Sequence, residues 1–271
     1  VVAAIADPNP QVAGKGLAML SAAGIRTESG LFETEARELN RGFLSRIERG
    51  RPFVRLKCAA SLDGKTALSD GLSQWITGEA ARHDVQILRA ESCAVLTGIS
   101  TVLADDPQLN VRAFPPLRQP LRIVLDSRLR LPPTAKLLAD PASPVLLLTA
   151  VPPEKYPAAL AAVPHLDILT VPTADGRISL PVALTLLAER GIGELLVEAG
   201  ATLCGAFLQS GLADEIVLYQ AGKILGGNAR SLFDLPENPA ALQQPASWQT
   251  RSVAILDGGD LKQVLRKKEA V

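Results

Sequence analysis

Short apolar runs alternate with stretches of helical apolar spacing along most of this chain. Phe53 to Ala59, Cys93 to Thr97, Leu121 to Leu125, Pro144 to Thr149, Leu166 to Val171, Leu195 to Val197 and Glu215 to Tyr219 have the length and aliphatic content of strands. Several are apolar almost without interruption, as strands are when a largely parallel sheet buries both their faces. Helix candidates lie between them. Thr77 is placed to cap a helix with Glu79 in its first turn, and Ala81, Val85 and Leu88 form its core stripe. Ile99 to Ala104 has helical spacing, and Pro181 and Gly191 bracket another helix. A further helix runs from Ala201 to Gln209 and is closed by Gly211. Ser247 to Leu265 suits a hairpin around Asp257-Gly258-Gly259.

Two stretches break the alternation. Residues 113–120 hold three prolines and read as a loop. Residues 1–50 read as a unit of their own, with a strand at Val1–Ile5, a Pro8-Asn9-Pro10 turn and helices near Gly16–Ala23 and Glu33–Ile47. Arg49-Gly50-Arg51-Pro52 is the expected linker to a second unit over residues 51–271. The opening Val1-Val2-Ala3-Ala4-Ile5-Ala6-Asp7-Pro8 has neither an initiator Met nor a basic segment ahead of an apolar one. It reads as a chain entered in mid-domain rather than a signal peptide.

Composition narrows the classes. With 28 Lys and Arg against 28 Asp and Glu in 271 residues, no broad basic footprint for nucleic acid exists. No apolar run reaches the ~18 residues of a membrane span. Cys58, Cys93 and Cys204 stand alone, which argues for a reducing, cytoplasmic setting and against a disulfide framework. His83 and His165 lie far apart without Cys or His at ligand spacing, so no metal site is expected.

The run Asp105-Asp106-Pro107-Gln108-Leu109-Asn110-Val111-Arg112 pairs two carboxylates with an arginine, whose planar fork suits phosphate or carboxylate. A solvated turn accounts for the same residues. Glu198-Ala199-Gly200-Ala201-Thr202-Leu203-Cys204-Gly205-Ala206 follows a strand and opens a helix, where small residues and free N–H groups admit an anion. Close helix–sheet packing would select the same small residues. Asp126-Ser127-Arg128, at a strand end, suits a ribose 2′-phosphate or an ordinary turn. Trp75, in Ser73-Gln74-Trp75-Ile76-Thr77, suits a pocket wall or plain packing. Lys57 would be costly if buried without an acidic partner or an anionic ligand.

Several linked motifs agree in order, spacing and identity with one family. Lys57-Cys58-Ala59-Ala60-Ser61-Leu62-Asp63-Gly64-Lys65-Thr66-Ala67, the Ser73–Thr77 run, and Ser100-Thr101-Val102-Leu103-Ala104-Asp105-Asp106-Pro107-Gln108-Leu109 carry the likeness. So do Val124-Leu125-Asp126-Ser127, Val197-Glu198-Ala199-Gly200, Gly211-Leu212-Ala213-Asp214-Glu215 and Lys223-Ile224-Leu225-Gly226. Over about residues 50–271 the chain resembles the reductase domain of the bacterial bifunctional riboflavin-biosynthesis deaminase/reductase. Many relatives read Glu-Gly-Gly where this chain has Glu198-Ala199-Gly200. Residues 1–50, with Asp7-Pro8-Asn9-Pro10 and Gly14-Lys15-Gly16, resemble the final portion of the deaminase domain.

The resemblance implies an α/β fold with a dihydrofolate-reductase-like, mostly parallel sheet flanked by helices, preceded by a truncated cytidine-deaminase-like segment. It implies NADPH-dependent reduction of the ribosyl group of 5-amino-6-(5-phosphoribosylamino)uracil to ribityl. Carried over residue by residue, Ala59, Trp75, Thr101, Asp105, Ser127 and Gly200, Ala201, Thr202, Leu203, Cys204, Gly205 and Ala206 would line the cofactor site. Ser73, Arg89, Leu109, Arg112 and Glu198 would hold the substrate, with the arginines on or near its phosphate. Lys57, Asp105 and Glu198 are the catalytic candidates. The His-x-Glu and Pro-Cys zinc motifs of the deaminase are absent, so deamination is not expected of this chain. A homodimer is expected on general grounds. A binding domain without turnover and a pterin reductase of the same fold are the competing readings. Joint retention of Lys57, Asp105, Arg112 and Glu198 argues against the first, and paired arginines suited to phosphate against the second.

Overall fold

The computed structural model describes residues 1–243 and 246–268. Its contacts divide the chain into two units, Val1–Phe53 with Leu184–Glu194, and Val54–Ala183 with Leu195–Val271.

The smaller unit holds three helices, α1 (Lys15–Ala22), α2 (Glu33–Leu39) and α3 (Arg41–Arg49), and a two-residue parallel pairing of Val2–Ala3 with Glu28–Ser29. The single helix expected over Glu33–Ile47 is broken at Asn40, whose φ of −104° and ψ of 17° leave the helical region. The expected Val1–Ile5 strand shrinks to two residues, and its partner at Glu28 carries no apolar alternation that would reveal it. Residues 184–194 join this unit through a close backbone approach. A Cβ on Gly42 would lie 3.0 Å from the Gly193 carbonyl carbon, so helix α3 can rest there only because both positions are glycine. The Phe53 N–H donates to Gly193 O at 2.8 Å, and Arg41 pairs with Glu194 at 3.2 Å.

The larger unit is built on a sheet whose strands, in chain order, are β1 (Phe53–Ala60), β2 (Ala94–Gly98), β3 (Leu121–Leu125), β4 (Val145–Thr149), β5 (Leu166–Thr170), β6 (Glu194–Glu198), β7 (Glu215–Gln220), β8 (Trp248–Ile255) and β9 (Leu261–Lys267). Their spatial order is β8-β9-β7-β1-β6-β2-β3-β4-β5. Pairing is parallel from β2 to β5 and between β1 and β7, and antiparallel where β9 meets β7 and β8. Apolar runs without alternation, such as Val145-Leu146-Leu147-Leu148, are buried throughout, as a sheet covered on both faces requires. The β8–β9 hairpin turns at Gly258 and Gly259, both with φ near +90°, a conformation open to glycine and rare for other residues.

Helices α4 (Glu79–Glu91), α5 (Ile99–Asp105) and α7 (Ala201–Gln209) belong to this unit, and α6 (Leu180–Glu189) begins in it and runs on into residues 184–194 of the smaller one. Ala81, Val85 and Leu88 of α4 pack on Val95, Leu196, Val217 and Tyr219. Ile99 and Val102 of α5 pack on Val124, Leu137 and Leu147. Thr77 does not cap α4. The capping position is Gly78, whose N–H donates to Asp260 at 2.6 Å. The helix has no side-chain cap, and the carboxylate that arrives from the distant hairpin turn holds only the N–H of the N-cap residue itself.

Candidate active site

Strand β6 lies between β1 and β2, so chain connections diverge to opposite edges of the sheet from this point. In α/β sheets such a switch leaves a crevice beyond the carboxyl ends of the strands. Glu198 is the last residue of β6, at that end of the sheet. Arg89, in the last turn of α4, grips it with two charge-assisted bonds, Nε to Oε1 at 2.6 Å and Nη2 to Oε2 at 2.9 Å. Both side chains are about nine-tenths buried, with 9% and 11% exposure. Burial pushes the Glu198 carboxyl up, but the charge and hydrogen bonds of Arg89, then the charges of Lys57 and Arg112, outweigh it and hold the group below the usual glutamate range. Burial works against the Arg89 charge as well, and Glu198 reverses the balance in its favour.

Arg112 stands exposed beside this pair. Partial burial and the like charge of Arg89 draw its pKa down, with Glu198 opposing. Among the described residues its guanidinium has no hydrogen-bond or ion-pair partner, so the cluster holds an uncommitted cation. Lys57 on β1 is half-buried, its Nζ 6.0 Å from the centre of the Tyr219 ring. Tyr219 is fully buried and donates its hydroxyl to Asp84, which also pairs with Lys262 at 2.6 Å. Arg55, two residues before Lys57, is buried against Glu215. The two cations of this strand therefore differ: Arg55 is consumed by the fold, and the charge of Lys57 acts on Glu198.

Asp105 ends α5 as an exposed residue, and desolvation draws its carboxyl upward. Asp106 has another task. At φ 42° it caps α5, accepts the Lys136 N–H at 2.8 Å and lies 3.6 Å from the Lys136 ammonium. Thr101 is half-buried on α5. Leu109 is a core residue, 3% exposed and packed with Tyr219 and Leu196, so only its backbone is available to a ligand. Ser73 is half-buried, and Trp75 is 60% exposed with the Arg82 guanidinium stacked 4.5 Å from its ring centre. Lys223 donates to the Trp75 carbonyl at 2.6 Å, tying this segment to the loop after β7. Ala59 lies half-buried in β1, opposite Tyr219.

Gly200 is the N-cap of α7, in extended conformation and with no side-chain cap. A Cβ there would meet nothing within 4 Å, so the first turn faces open space. Ala201, Thr202 and Leu203 follow, with the Thr202 hydroxyl 3.3 Å from Asp234. The helix then turns inward. Cys204 is buried with its thiol toward the Ala199 carbonyl at 3.4 Å, and a Cβ on Gly205 would lie 2.3 Å from Asp234 O. Ala206 is half-buried in the same helix. The seven-residue run therefore serves two purposes, an open helix start and a close packing contact. Ser127, half-buried, sits just beyond β3. Its neighbour Asp126 is fully buried and accepts the N–H groups of Arg130 and Leu131, so that carboxylate closes a turn.

Gln86, Gln119 and Arg122 also hold this region and lie in no motif, and Asn110 lies inside the Asp105–Arg112 run without having been singled out. An arginine inside the apolar strand Leu121–Leu125 was the one visible signal, since a buried guanidinium needs several acceptors. Among the described residues, no group of three or more His, Cys, Asp or Glu side chains gathers as a metal site.

A mostly parallel sheet covered by helices, with a basic, carboxylate-anchored crevice at its switch point, defines an α/β domain of the small-ligand-binding class. The chain belongs to the RibD C-terminal domain family, whose model matches residues 52–256. It is 45% identical to the riboflavin biosynthesis protein RibD of Escherichia coli over 248 residues, 87% of this chain and 66% of that protein. The Haemophilus influenzae protein of the same name is 44% identical over 280 residues, 97% of this chain and 71% of that one. The chain thus spans about two thirds of the E. coli relative's length. The solved structure of Acinetobacter baumannii RibD matches with a TM-score of 0.87 at 43% identity, covering 99% of this chain and 73% of that one. A Thermotoga maritima structure, described as a diaminohydroxyphosphoribosylaminopyrimidine deaminase/5-amino-6-(5-phosphoribosylamino)uracil reductase, matches at 0.83 with 31% identity, over 99% of this chain and 71% of that one.

Proposed function

We propose that residues 51–271 form an NADPH-dependent reductase that converts the ribosyl group of 5-amino-6-(5-phosphoribosylamino)uracil to ribityl in riboflavin biosynthesis. The observation that carries this reading is the uncommitted Arg112 beside the buried Arg89–Glu198 pair. A cation held next to a second arginine, both near one carboxylate, suits a doubly charged phosphate. The open first turn of α7 fits a pyrophosphate-bearing cofactor, because free N–H groups and the helix dipole favour an anion where a Cβ at Gly200 meets no atom. Gly200 to Leu203, with Thr101, Ser127 and Trp75, would hold NADPH.

Held by these residues, NADPH would supply the hydride that reduces C1′ of the open-chain, imine-like form of the sugar. The protein's own part is alignment and charge control. Glu198, kept ionised and immobile by Arg89, orients the substrate. Lys57 balances charge at the base of the crevice. Asp105, at the end of α5, is the candidate to relay a proton to the nitrogen that becomes an amine.

Residues 1–50 we read as the C-terminal part of a deaminase domain, with deamination left to a zinc-bearing portion outside these 271 residues. Three free cysteines support a reducing, cytoplasmic setting, and a homodimer is the assembly we propose. The test is direct: mix the purified chain with NADPH and the phosphoribosylaminouracil substrate, and follow absorbance and product mass. Stoichiometric NADPH oxidation with a gain of two hydrogens is expected, and no oxidation above the substrate-free rate would overturn the reading.

A further inference from the structure

The segment from Gln108 to Arg112 belongs to no helix or strand. Packed backbone outside regular structure must still find partners for its N–H and C=O groups. Here side chains supply them. The Gln119 amide donates to Val111 O at 2.7 Å and accepts the Val111 N–H at 2.8 Å. The next N–H, that of Arg112, donates to the buried Gln86 Oε1 at 3.0 Å. One turn along the same helix, Arg89 donates to Asn110 O at 3.0 Å, and the fully buried Arg122 donates to Gln108 O at 3.2 Å. Leu109 and Val111, each 3% exposed, pin the segment to the core between these bonds.

We propose that Gln119 and Gln86 are positioning residues that fix the backbone of Val111 and Arg112 and so aim the Arg112 guanidinium at the substrate phosphate. This rests on the reading of Arg112 as a phosphate ligand. Gln119 makes on one residue the two bonds that a neighbouring β-strand would make, which sets both position and peptide-plane orientation. Orientation matters because a guanidinium grips phosphate through a planar fork rather than as a point charge. A backbone already in place loses less freedom when the anion arrives. Neutral amides do this without bringing a competing carboxylate to the arginine. A glutamate in place of Gln119 would keep the acceptor for the Val111 N–H, lose the donor to Val111 O, and add the wrong charge.

The test is steady-state kinetics of Gln119→Leu with the phosphorylated substrate and with its dephosphorylated counterpart, in the wild-type and Arg112→Ala backgrounds. Wild-type turnover comes first, since without it both the functional reading and this one fall. Given turnover, KM for the phosphorylated substrate should rise about tenfold, the scale of one to two net hydrogen bonds. KM for NADPH and for the dephosphorylated substrate should change by less than about twofold, and Gln119→Leu should add little to Arg112→Ala. Equal losses on both substrates, or full additivity with Arg112→Ala, would leave the functional reading intact and overturn this one. Should Gln119→Leu fail to fold, Gln86→Met removes the acceptor of the Arg112 N–H and is held to the same outcomes.

Discussion

At the scale of single residues, Arg112 and the Asp105–Asp106 pair separate function from support. Arg112→Lys keeps the charge and loses the fork, so substrate KM should rise about tenfold or more while NADPH affinity holds; an unchanged substrate KM returns the residue to solvent. Adjacent carboxylates usually read alike, yet these two face different partners. Asp106 is occupied with Lys136, an exposed contact of at most about 1 kcal/mol. Asp106→Asn should therefore lower Tm slightly and leave kcat nearly unchanged. Asp105→Asn should lower kcat about a hundredfold at constant Tm, since its protonatable carboxyl has no structural partner among the described residues. Equal kcat values for the two variants would deny Asp105 its proton-relaying role.

At the scale of elements, helix α7 shows how one short run meets two demands. On the proposed reading its first turn stays bare for an anion, and its second comes close to the Asp234 carbonyl. Gly205→Ala would force a methyl group to 2.3 Å from that oxygen, an overpacking expected to cost roughly 1–3 kcal/mol. Thermal unfolding of the variant would show it as a lowered Tm, and cofactor affinity should fall only as far as α7 shifts. An unaltered Tm would mean that the Asp234 loop moves aside freely. The periodicity that located α7 at Ala201–Gln209 could not show this division, because small residues serve bare helix starts and tight packing equally.

At the scale of the molecule, the Arg89–Glu198 pair links helix α4 to the end of β6 and couples the site to stability. Its carboxyl is depressed in the folded protein, so its stabilisation is complete above the ordinary glutamate pKa of 4.5 and disappears as pH falls through the lower folded value. Wild-type Tm should therefore decline more steeply on acidification below about pH 4.5 than that of Glu198→Gln, whose amide does not titrate there. Parallel declines would mean that the pair contributes nothing to acid sensitivity.

The sequence by itself determined the strands and most of the helices, because burial on two faces and on one face leave different apolar periods in the chain. It also marked Glu198 and Arg112 through the company of their motifs, and Arg89 only through the family resemblance. Tertiary structure decided the rest. Residues 184–194 join the N-terminal unit through Gly42 and Gly193, an approach that no local pattern encodes. Gly78 rather than Thr77 is the N-cap of α4, and its N–H is held by Asp260 from a turn far along the chain. Leu109 went to the core, and Cys204 and Gly205 to packing, although each sits inside a motif that reads as ligand-facing. The bonds that hold the Arg112 segment come from Gln86, Gln119 and Arg122. A hydrogen bond between side chain and backbone leaves no period in a sequence, so these partners became visible only when the fold brought them together.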